Sequence, residues 1–333
     1  MRALLAVIAI AALGWAGYWW MGASAVQSGF AAWFDARRAE GWVADTADIT
    51  VRGFPNRFDT TFTDITLADP GTGWAWQAPF FQLFALSYQP NHVIATWPDT
   101  QSLATPRQTF DLSSVKMQAS SVLGADTALP LKRANLVADT LAITDEAGET
   151  TAMTALRLAV ERVEGSEASY HLGLAADNLS PARAARLRMD RQERLPQTFS
   201  AFRADINATF DRPWDRHALE DARPQPRRIT VNLAEARWGD LELAAAGTLD
   251  VDATGRPSGR LTVRARNWRE ILQLARASGQ LPPGLADQME TGLSMLAQLS
   301  GTSQTLDIPL DFRVGRIFLG PVPIGAAPVL TLR

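Results

Sequence analysis

The sequence contains no cysteine, only three histidines and only two lysines, Lys116 and Lys132, among its 333 residues. Without cysteine the chain can form no disulfide, no thiol nucleophile and no cysteine-based metal site. The histidines, His92, His171 and His217, lie far apart and have no neighbours at metal-ligand spacing. We therefore expect no metal site and no cofactor.

The chain also lacks a large excess of charge of either sign. The formal net charge is −3, so no overall basic field favours binding to nucleic acid. Apolar residues make up 47% and charged residues 20%, as is typical of a folded chain rather than a disordered one. A chain of this length can form one large domain or two ordinary ones.

The common catalytic patterns are missing as well. There is no phosphate-binding glycine loop, no His-Glu-x-x-His and no Gly-x-Ser-x-Gly. Ser113 and Lys116 have the Ser-x-x-Lys spacing, but they fall in a predicted strand, where residues three apart point to opposite faces. The sequence therefore predicts that the protein is not an enzyme.

One long apolar run is present, and it organises the rest of the chain. Ala3 to Val26 contains no charged residue, and a bilayer core needs roughly 20 apolar residues in a helix. We predict that residues 1–26 form a transmembrane anchor. Tyr18, Trp19 and Trp20 near its distal end are suited to a membrane–water interface.

The alternative for this run is a cleaved signal peptide. Ala23-Ser24-Ala25 fits the small-x-small pattern of a cleavage site, and cleavage after Ala25 would release a soluble form. However, the run exceeds the usual apolar region of about 7–15 residues in signal peptides. An uncleaved anchor is the favoured reading.

The pattern beyond the anchor remains helical up to residue 41. Val26, Phe30, Phe34 and Arg37 share one face with Trp33, which predicts a juxtamembrane helix over 27–41. Arg2 favours a cytoplasmic N-terminus by the positive-inside tendency, whereas Arg37 and Arg38 on the other flank oppose it.

From residue 42 to 333 the sequence alternates between apolar and polar residues. The alternation is clearest over 202–210 and 241–251, and turns rich in Gly, Pro and Asp separate the runs. This pattern is typical of antiparallel strands with one solvated face. We predict a mainly β fold: an elongated antiparallel β-sheet or groove with a few short helices, in two lobes that meet near 181–226.

Two of the predicted helices are C-terminal. Asn267 and Glu270 have capping-box spacing, and Gly279 is placed to end the first helix. The second carries an apolar stripe at helical spacing: Leu285, Met289, Leu293, Leu296 and Leu299. We expect this stripe to cover part of the sheet.

The strands offer more apolar surface than two such helices would cover. A sheet left uncovered must fold on itself or hold something apolar, because burial is worth about 25 cal/mol per Å². We therefore predict a lipid-binding groove. The residues expected to line it are Phe202, Ile206, Phe210, Leu243 and Leu249.

Three passages resemble a known family. They are Arg52-Gly53-Phe54-Pro55-Asn56-Arg57-Phe58-Asp59, Gln89 to Ala95, and Leu310 to Ala327. With the N-terminal anchor, they resemble the alphaproteobacterial envelope family called domain of unknown function 2125, in which Gly53, Phe54 and Pro55 form a motif turn. The resemblance implies an anchor in the inner membrane and a body in the periplasm, and it supplies no catalytic residues.

The passage from Leu241 to Gly279 is similar to AsmA-like envelope proteins, whose strands curl into a groove that accommodates lipid. This similarity favours binding or transfer of a lipid or another amphipathic envelope component. Two alternatives stay open: a non-enzymatic scaffold that binds an envelope protein through a sheet edge or the Leu285–Leu299 helix, and a periplasmic hydrolase. The bilayer itself is the expected partner of the N-terminal helix.

Overall fold

The computed structural model describes residues 1–220, 222–279, 283–300 and 304–332. The chain folds mainly as antiparallel β-structure with a long N-terminal helix, as the alternation predicts. It divides into two units. Unit 1 comprises Met1–Ala125 and Leu136–Gly148, and unit 2 comprises Asp126–Asn135 and Glu149–Arg333.

Helix α1 extends without interruption over Arg2–Ala39. It is therefore continuous across residues 26 and 27, where the predicted anchor meets the predicted juxtamembrane helix. Within the described residues, α1 is the one helix long and apolar enough to cross a membrane, a criterion that an N-terminal signal sequence also meets.

Unit 1 places α1 against a set of antiparallel strands that begin directly after it. The strands are β1 (Val43–Asp45), β2 (Asp48–Arg52), β3 (Arg57–Asp69), β4 (Trp74–Leu86), β5 (Gln89–Thr96), β6 (Thr100–Ala104), β7 (Thr109–Val115), β8 (Gln118–Leu123) and the later part of β9 (Leu131–Asp145).

The long hairpin of β3 and β4 is the centre of unit 1. Strand β3 pairs with β1 and β2 along one side and with β4 along the other. Strand β4 pairs with β6 near its start and with β5 near its end. The remaining pairs are β5 with β8, β6 with β7 and β7 with β9.

Aromatic and aliphatic side chains between α1 and the β3–β4 hairpin form the core of unit 1. Phe34 from α1 is buried with Phe62 and Ile65 from β3 and Ala78 from β4. The alternation of β3 buries Phe58 and Phe62 on one side, and Asp64, with φ of 49°, interrupts the alternation before the buried Ile65. The helix thus covers the apolar face that the sequence pattern creates.

Unit 2 is an antiparallel meander in which each strand from β10 to β18 pairs with the next. The strands are β10 (Thr150–Arg162), β11 (Ser169–Ser180), β12 (Ala201–Phe210), β13 (Pro226–Trp238), β14 (Leu241–Val251), β15 (Pro257–Arg266), β16 (Thr305–Arg313), β17 (Arg316–Leu319) and β18 (Val322–Ala326). The helices are α2 (Arg183–Met189), α3 (His217–Glu220), α4 (Trp268–Ala277) and α5 (Pro283–Ser300).

The two faces of the unit 2 sheet differ in chemistry. On one face, Arg264 Nε lies 2.8 Å from Asp307 Oδ1, and Arg260 Nε lies 2.7 Å from Asp311 Oδ1. The hydrogen bonds from these guanidinium groups hold the pKa of Asp307 and of Asp311 below the usual range. Both pairs are solvated, which matches the predicted one-sided sheet.

Helices α4 and α5 cover part of the other, apolar face. Trp268 and Leu272 of α4 are buried together with Leu293 and Ala297 of α5. They pack with Ala265 of β15 and Leu306 of β16, which are cross-strand partners. The two predicted C-terminal helices are thus confirmed, although the side chains of Leu285 and Leu299 lie outside the described residues.

The boundary between the units lies at 125–149 rather than near 181–226, where the sequence led us to place it. Strand β12 pairs with β11 on one side and β13 on the other, so the meander continues through 181–226. The prolines of this region lie in the connections on either side of β12, within unit 2.

The predicted capping box at Asn267 and Glu270 does not form. Asn267 has a left-handed backbone with φ of 57°, and no side-chain hydrogen bond caps α4. The Asn267 side chain instead donates from Nδ2 to the carbonyl of Asp240 at 2.9 Å. The residue therefore ties α4 to the turn before β14.

Candidate functional site

The five predicted groove residues lie on one face of the unit 2 sheet. Phe202 of β12 and Leu243 of β14 are both opposite Ala236 of β13, in one row across the sheet. Six residues further along β12 and β14, Ala208 and Leu249 both lie opposite Ile229 of β13. Ile206 and Phe210 share this face because they lie two residues before and two residues after Ala208 along β12.

These residues differ in how open their surroundings are. Phe202 and Leu243 are more than a third exposed, whereas Leu249 is buried. The ring of Phe210 packs edge-on against Trp214, with 5.6 Å between ring centres. A cavity of about 220 Å³ beside α4 includes Leu243 in its lining.

A larger apolar cavity, of about 450 Å³, lies in unit 1 between α1 and the β3–β4 hairpin. Helix α1 contributes six residues at helical spacing along one side of its second half: Ala25, Val26, Gly29, Phe30, Trp33 and Phe34. The hairpin contributes six more: Phe62, Ile65, Leu67, Trp76, Phe81 and Leu83. Every lining residue is apolar or aromatic.

Aromatic contacts hold the walls of this cavity in place. The rings of Phe30 and Phe62 meet edge-on with centres 5.0 Å apart, which joins the helix to β3. On β4, Trp76 meets Phe81 edge-on at 5.5 Å. The indole N–H of Trp76 is directed to Gln101 Oε1 at 2.7 Å. The polar atom of Trp76 is thus already engaged.

A cation lies beside the cavity at the C-terminal end of α1. The guanidinium carbon of Arg37 is 5.9 Å from the ring centre of Trp33 and 5.8 Å from that of Trp42. Arg37 Nη2 pairs with Glu40 at 2.7 Å. Among the described residues, no acceptor meets the buried Arg37 Nε–H.

Three aromatic donors hold the middle of α1 against the end of unit 1 opposite the β3–β4 turn. Trp15 Nε1 donates to the carbonyl of Pro55 at 2.9 Å, and Trp19 Nε1 donates to that of Arg57 at 2.8 Å. The Tyr18 hydroxyl donates to the carbonyl of Ser87 at 2.7 Å. The helix therefore contacts unit 1 from Trp15 onward, inside the segment predicted as anchor.

Gly22 permits this close approach. A Cβ added at Gly22 would lie 2.6 Å from Cζ of Phe58, whose side chain is buried. At the other helix glycines, Gly14, Gly17 and Gly29, an added Cβ would meet nothing within 4 Å.

The motif turn Gly53-Phe54-Pro55 lies where the sequence predicts, between β2 and β3. The Arg57 N–H donates to the Gly53 carbonyl at 2.9 Å and closes the turn. Gly53 has φ of 103°, and an added Cβ would lie 2.9 Å from the Arg57 carbonyl oxygen. Phe54 is exposed and its ring packs edge-on against Trp19 with centres 5.5 Å apart.

A second cavity in unit 1, of about 630 Å³, is polar. Its lining includes Asp64, Asp111, Gln101 and Ser113 but no histidine, lysine or arginine. Gln101 is buried and already accepts from Trp76, and its amide lies 3.6 Å from the sulfur of Met117. Within the described ranges, no three His, Asp or Glu side chains converge as metal ligands.

Sequence reasoning missed the cavity beneath α1. The stripe from Val26 to Arg37 and the aromatic residues of β3 and β4 are both visible in the sequence, but nothing in it pairs one with the other. An apolar helix face gives the same pattern whether it contacts lipid or protein. One feature of the sequence could have indicated the cavity: the apolar stripe of the helix continues beyond the roughly 20 residues needed to cross a bilayer.

The comparisons with known proteins add one match. A family model described as "Uncharacterized protein conserved in bacteria (DUF2125)" matches residues 19–328. No curated protein and no solved structure shows a significant match to the chain.

Proposed function

The chain belongs to the DUF2125 family of bacterial proteins, and from that premise we propose that it is a membrane-anchored protein that binds a lipid or another amphipath. The occupied site is the cavity beneath α1. The proposal rests on the wholly apolar lining of a 450 Å³ space beside a helix whose N-terminal run is long and apolar enough to span a membrane. That volume is within the range of ligand sites, about 300–1,000 Å³.

Water is a poor occupant for such a cavity. A buried water molecule needs about two to four polar partners, and the twelve lining residues are apolar or aromatic. An acyl chain gains roughly 0.8 kcal/mol for each CH₂ group that it buries. Hydrocarbon therefore fits the lining better than solvent does.

The surroundings of Arg37 favour an amphipath over plain hydrocarbon. Its guanidinium lies beside the lining residue Trp33, and its Nε–H is available to an acceptor. A phosphate or carboxylate at the polar end of the ligand would supply that acceptor, in a charge-assisted hydrogen bond. The apolar chain would then lie in the cavity between α1 and the β3–β4 hairpin.

The proposed location is the inner membrane, with the body in the periplasm. Arg2 beside the apolar run supports a cytoplasmic N-terminus. The family resemblance to envelope proteins supports the same orientation. Alkaline phosphatase fused at the C-terminus should be active, and an inactive fusion beside an active cytoplasmic reporter would reverse the orientation.

The binding proposal is tested by filling the cavity. Gly29 lines it and an added Cβ there meets nothing, so Gly29→Leu should occupy the cavity without a clash. Gly14→Leu is the matched control, because Gly14 is also an unobstructed helix glycine but lies outside the lining. We expect mass spectrometry of organic extracts to find stoichiometric lipid in the wild type and Gly14→Leu and severalfold less in Gly29→Leu.

Two further variants separate this cavity from the predicted groove of unit 2. Ile206→Asp and Leu243→Asp place a charge on the unit 2 face and leave α1 unchanged. If they remove the lipid in a folded protein and Gly29→Leu does not, the ligand site is the unit 2 face. A protein that stays empty after incubation with labelled phospholipid would refute lipid binding and favour the scaffold alternative.

A further inference from the structure

The end of unit 1 that meets the middle of α1 consists of two turns. We call residues 53–56 and 87–88 the tip. The Gly53-Phe54-Pro55-Asn56 turn joins β2 to β3, and Ser87 and Tyr88 join β4 to β5. The two turns are neighbours because Arg57 and Leu86 are cross-strand partners and the Ser87 N–H donates to the Asn56 carbonyl at 2.8 Å.

The hydrogen bonds from α1 fix the height of the tip along the helix. Trp15 bonds to Pro55 and Tyr18 bonds to Ser87, so the tip is level with residues 15–18 of α1. Beyond the tip, the part of the helix suited to a bilayer core is residues 2–14, because the charged Arg2 bounds the apolar run. At 1.5 Å per residue, these 13 residues span about 20 Å.

A bilayer core is about 30 Å thick, which is about 10 Å more than the free part of α1 covers. Tilting the helix does not close this gap, because a tilted helix needs more residues to cross. If α1 spans the bilayer from Arg2 while it keeps its contacts with unit 1, residues up to about 21 are required. Trp15, Tyr18 and Trp19 fall within that range, and so does the tip.

The tip has the composition that such a position requires. Phe54 is 58% exposed and Tyr88 is 64% exposed, although both are large aromatic residues. Trp20 on α1 is also exposed. Aromatic side chains are enriched at membrane–water interfaces, where an apolar ring and a polar edge are both satisfied.

Hydrogen bonds from α1 also satisfy carbonyl groups at the tip, as a medium of low polarity requires. Exposed turns are normally excluded from hydrocarbon because their carbonyl groups lose the hydrogen bonds of water. Here Trp15, Tyr18 and Trp19 supply donors to the carbonyls of Pro55, Ser87 and Arg57. Arg52 beside the turn has a long side chain that can reach lipid phosphates from this depth, whereas Arg57 Nη2 pairs with Asp59 Oδ2 at 2.7 Å.

We propose that the tip is a second membrane contact, in which Phe54 and Tyr88 insert into the interfacial layer of the bilayer around α1. The proposal rests on the anchoring part of the proposed function but not on lipid binding in the cavity. It commits to the bilayer as the partner, because the helix that must cross the bilayer is the same helix that holds the tip. Unit 1 is then fixed in orientation and depth relative to the membrane.

The absence of cysteine makes a direct test possible, since a single introduced cysteine is the only site of labelling. Phe54→Cys and Tyr88→Cys carry a nitroxide label on the two turns of the tip. Trp74→Cys is the matched control: Trp74 is an exposed aromatic residue at the far end of the β3–β4 hairpin. Strand β3 has 13 residues, so that end is about 40 Å away.

The full-length protein is placed in vesicles of phosphatidylethanolamine and phosphatidylglycerol, and collisions of each label with oxygen and with a water-soluble nickel complex are measured. We expect the ratio of oxygen to nickel accessibility to be severalfold higher at 54 and 88 than at 74. Equal, water-like ratios at all three positions in a protein that resists carbonate extraction would overturn the tip contact and leave lipid binding unaffected. Loss of the protein on carbonate extraction would overturn the anchor and the tip contact together.

If Phe54→Cys disturbs the packing against Trp19, the label at position 88 still tests the membrane contact of the tip. A membrane-like ratio at 88 alone would support the contact, because Tyr88 lies on the other turn. A water-like ratio at 88 in vesicle-bound protein, with 54 also water-like, would refute it.

Discussion

At the scale of single residues, Tyr170 joins a strand of unit 2 to the loop that follows β12. Its side chain is fully buried, and its hydroxyl accepts a hydrogen bond from the Trp214 N–H at 3.0 Å. The ring centre lies 6.0 Å from that of Phe210. Burial raises the pKa of the Tyr170 phenol, so the folded state favours the neutral group.

We expect Tyr170→Phe to lower the free energy of unfolding by about 1–3 kcal/mol, because the partly buried Trp214 N–H would lose its acceptor. Urea unfolding followed by circular dichroism measures this. Tyr88→Phe is the control, since Tyr88 is exposed and its replacement should leave the unfolding midpoint unchanged. Equal stability of the two variants would show that the hydroxyl of Tyr170 contributes nothing measurable.

At the scale of elements, the period-two pattern predicts the strands well. The runs at 202–210 and 241–251 form β12 and β14. Their apolar residues lie on one face because successive side chains of a strand point to opposite faces. The boundary between the units was not predictable in the same way. The strands before and after residues 125–149 show the same alternation of apolar and polar residues. This alternation does not indicate which strands pair with each other.

Helix α1 shows the same limit for the candidate site. Its stripe of Val26, Phe30 and Phe34 was visible in the sequence, but its contact with β3 depends on Trp15, Trp19 and Gly22, which lie within the apolar run. In an apolar run, a face that contacts protein does not differ in composition from one that contacts lipid. The cavity beneath α1 therefore could not be derived from periodicity.

Gly22 gives this helix–sheet contact a direct test. Gly22→Ala places a methyl group 2.6 Å from Cζ of the buried Phe58, whereas Gly17→Ala adds the same methyl group with nothing within 4 Å. Both variants gain the same helix propensity, so their difference isolates the clash. We expect Gly22→Ala to be less stable than Gly17→Ala by about 1–3 kcal/mol in thermal unfolding in detergent. Equal stability would mean that α1 and Phe58 are not in contact.

At the scale of the whole molecule, α1 has two parts with different surroundings. Residues 2–14 are exposed, including the large apolar side chains of Leu5, Ile10 and Leu13. From Trp15 onward the helix donates hydrogen bonds to unit 1 and covers its core. One continuous helix thus combines an apolar surface suited to a bilayer with a structural element of the folded body.

Two truncations separate these roles and bear on cleavage of the N-terminus. Removal of residues 2–14 should detach the protein from membranes and leave its unfolding temperature close to that of the full chain in detergent. Removal of residues 2–25, which is also the result of cleavage after Ala25, takes away the three donors to Pro55, Arg57 and Ser87. At about 1 kcal/mol for each hydrogen bond, this truncation should lower the free energy of unfolding by about 3 kcal/mol, and the exposure of Phe58 should lower it further.

Because the shorter chain would leave these carbonyls and Phe58 uncovered, we expect protein purified from membranes to retain residues 1–25. Equal stability of both truncations would show that the first 25 residues serve only as a detachable segment, and sequencing of the mature N-terminus would then be expected to begin at Val26.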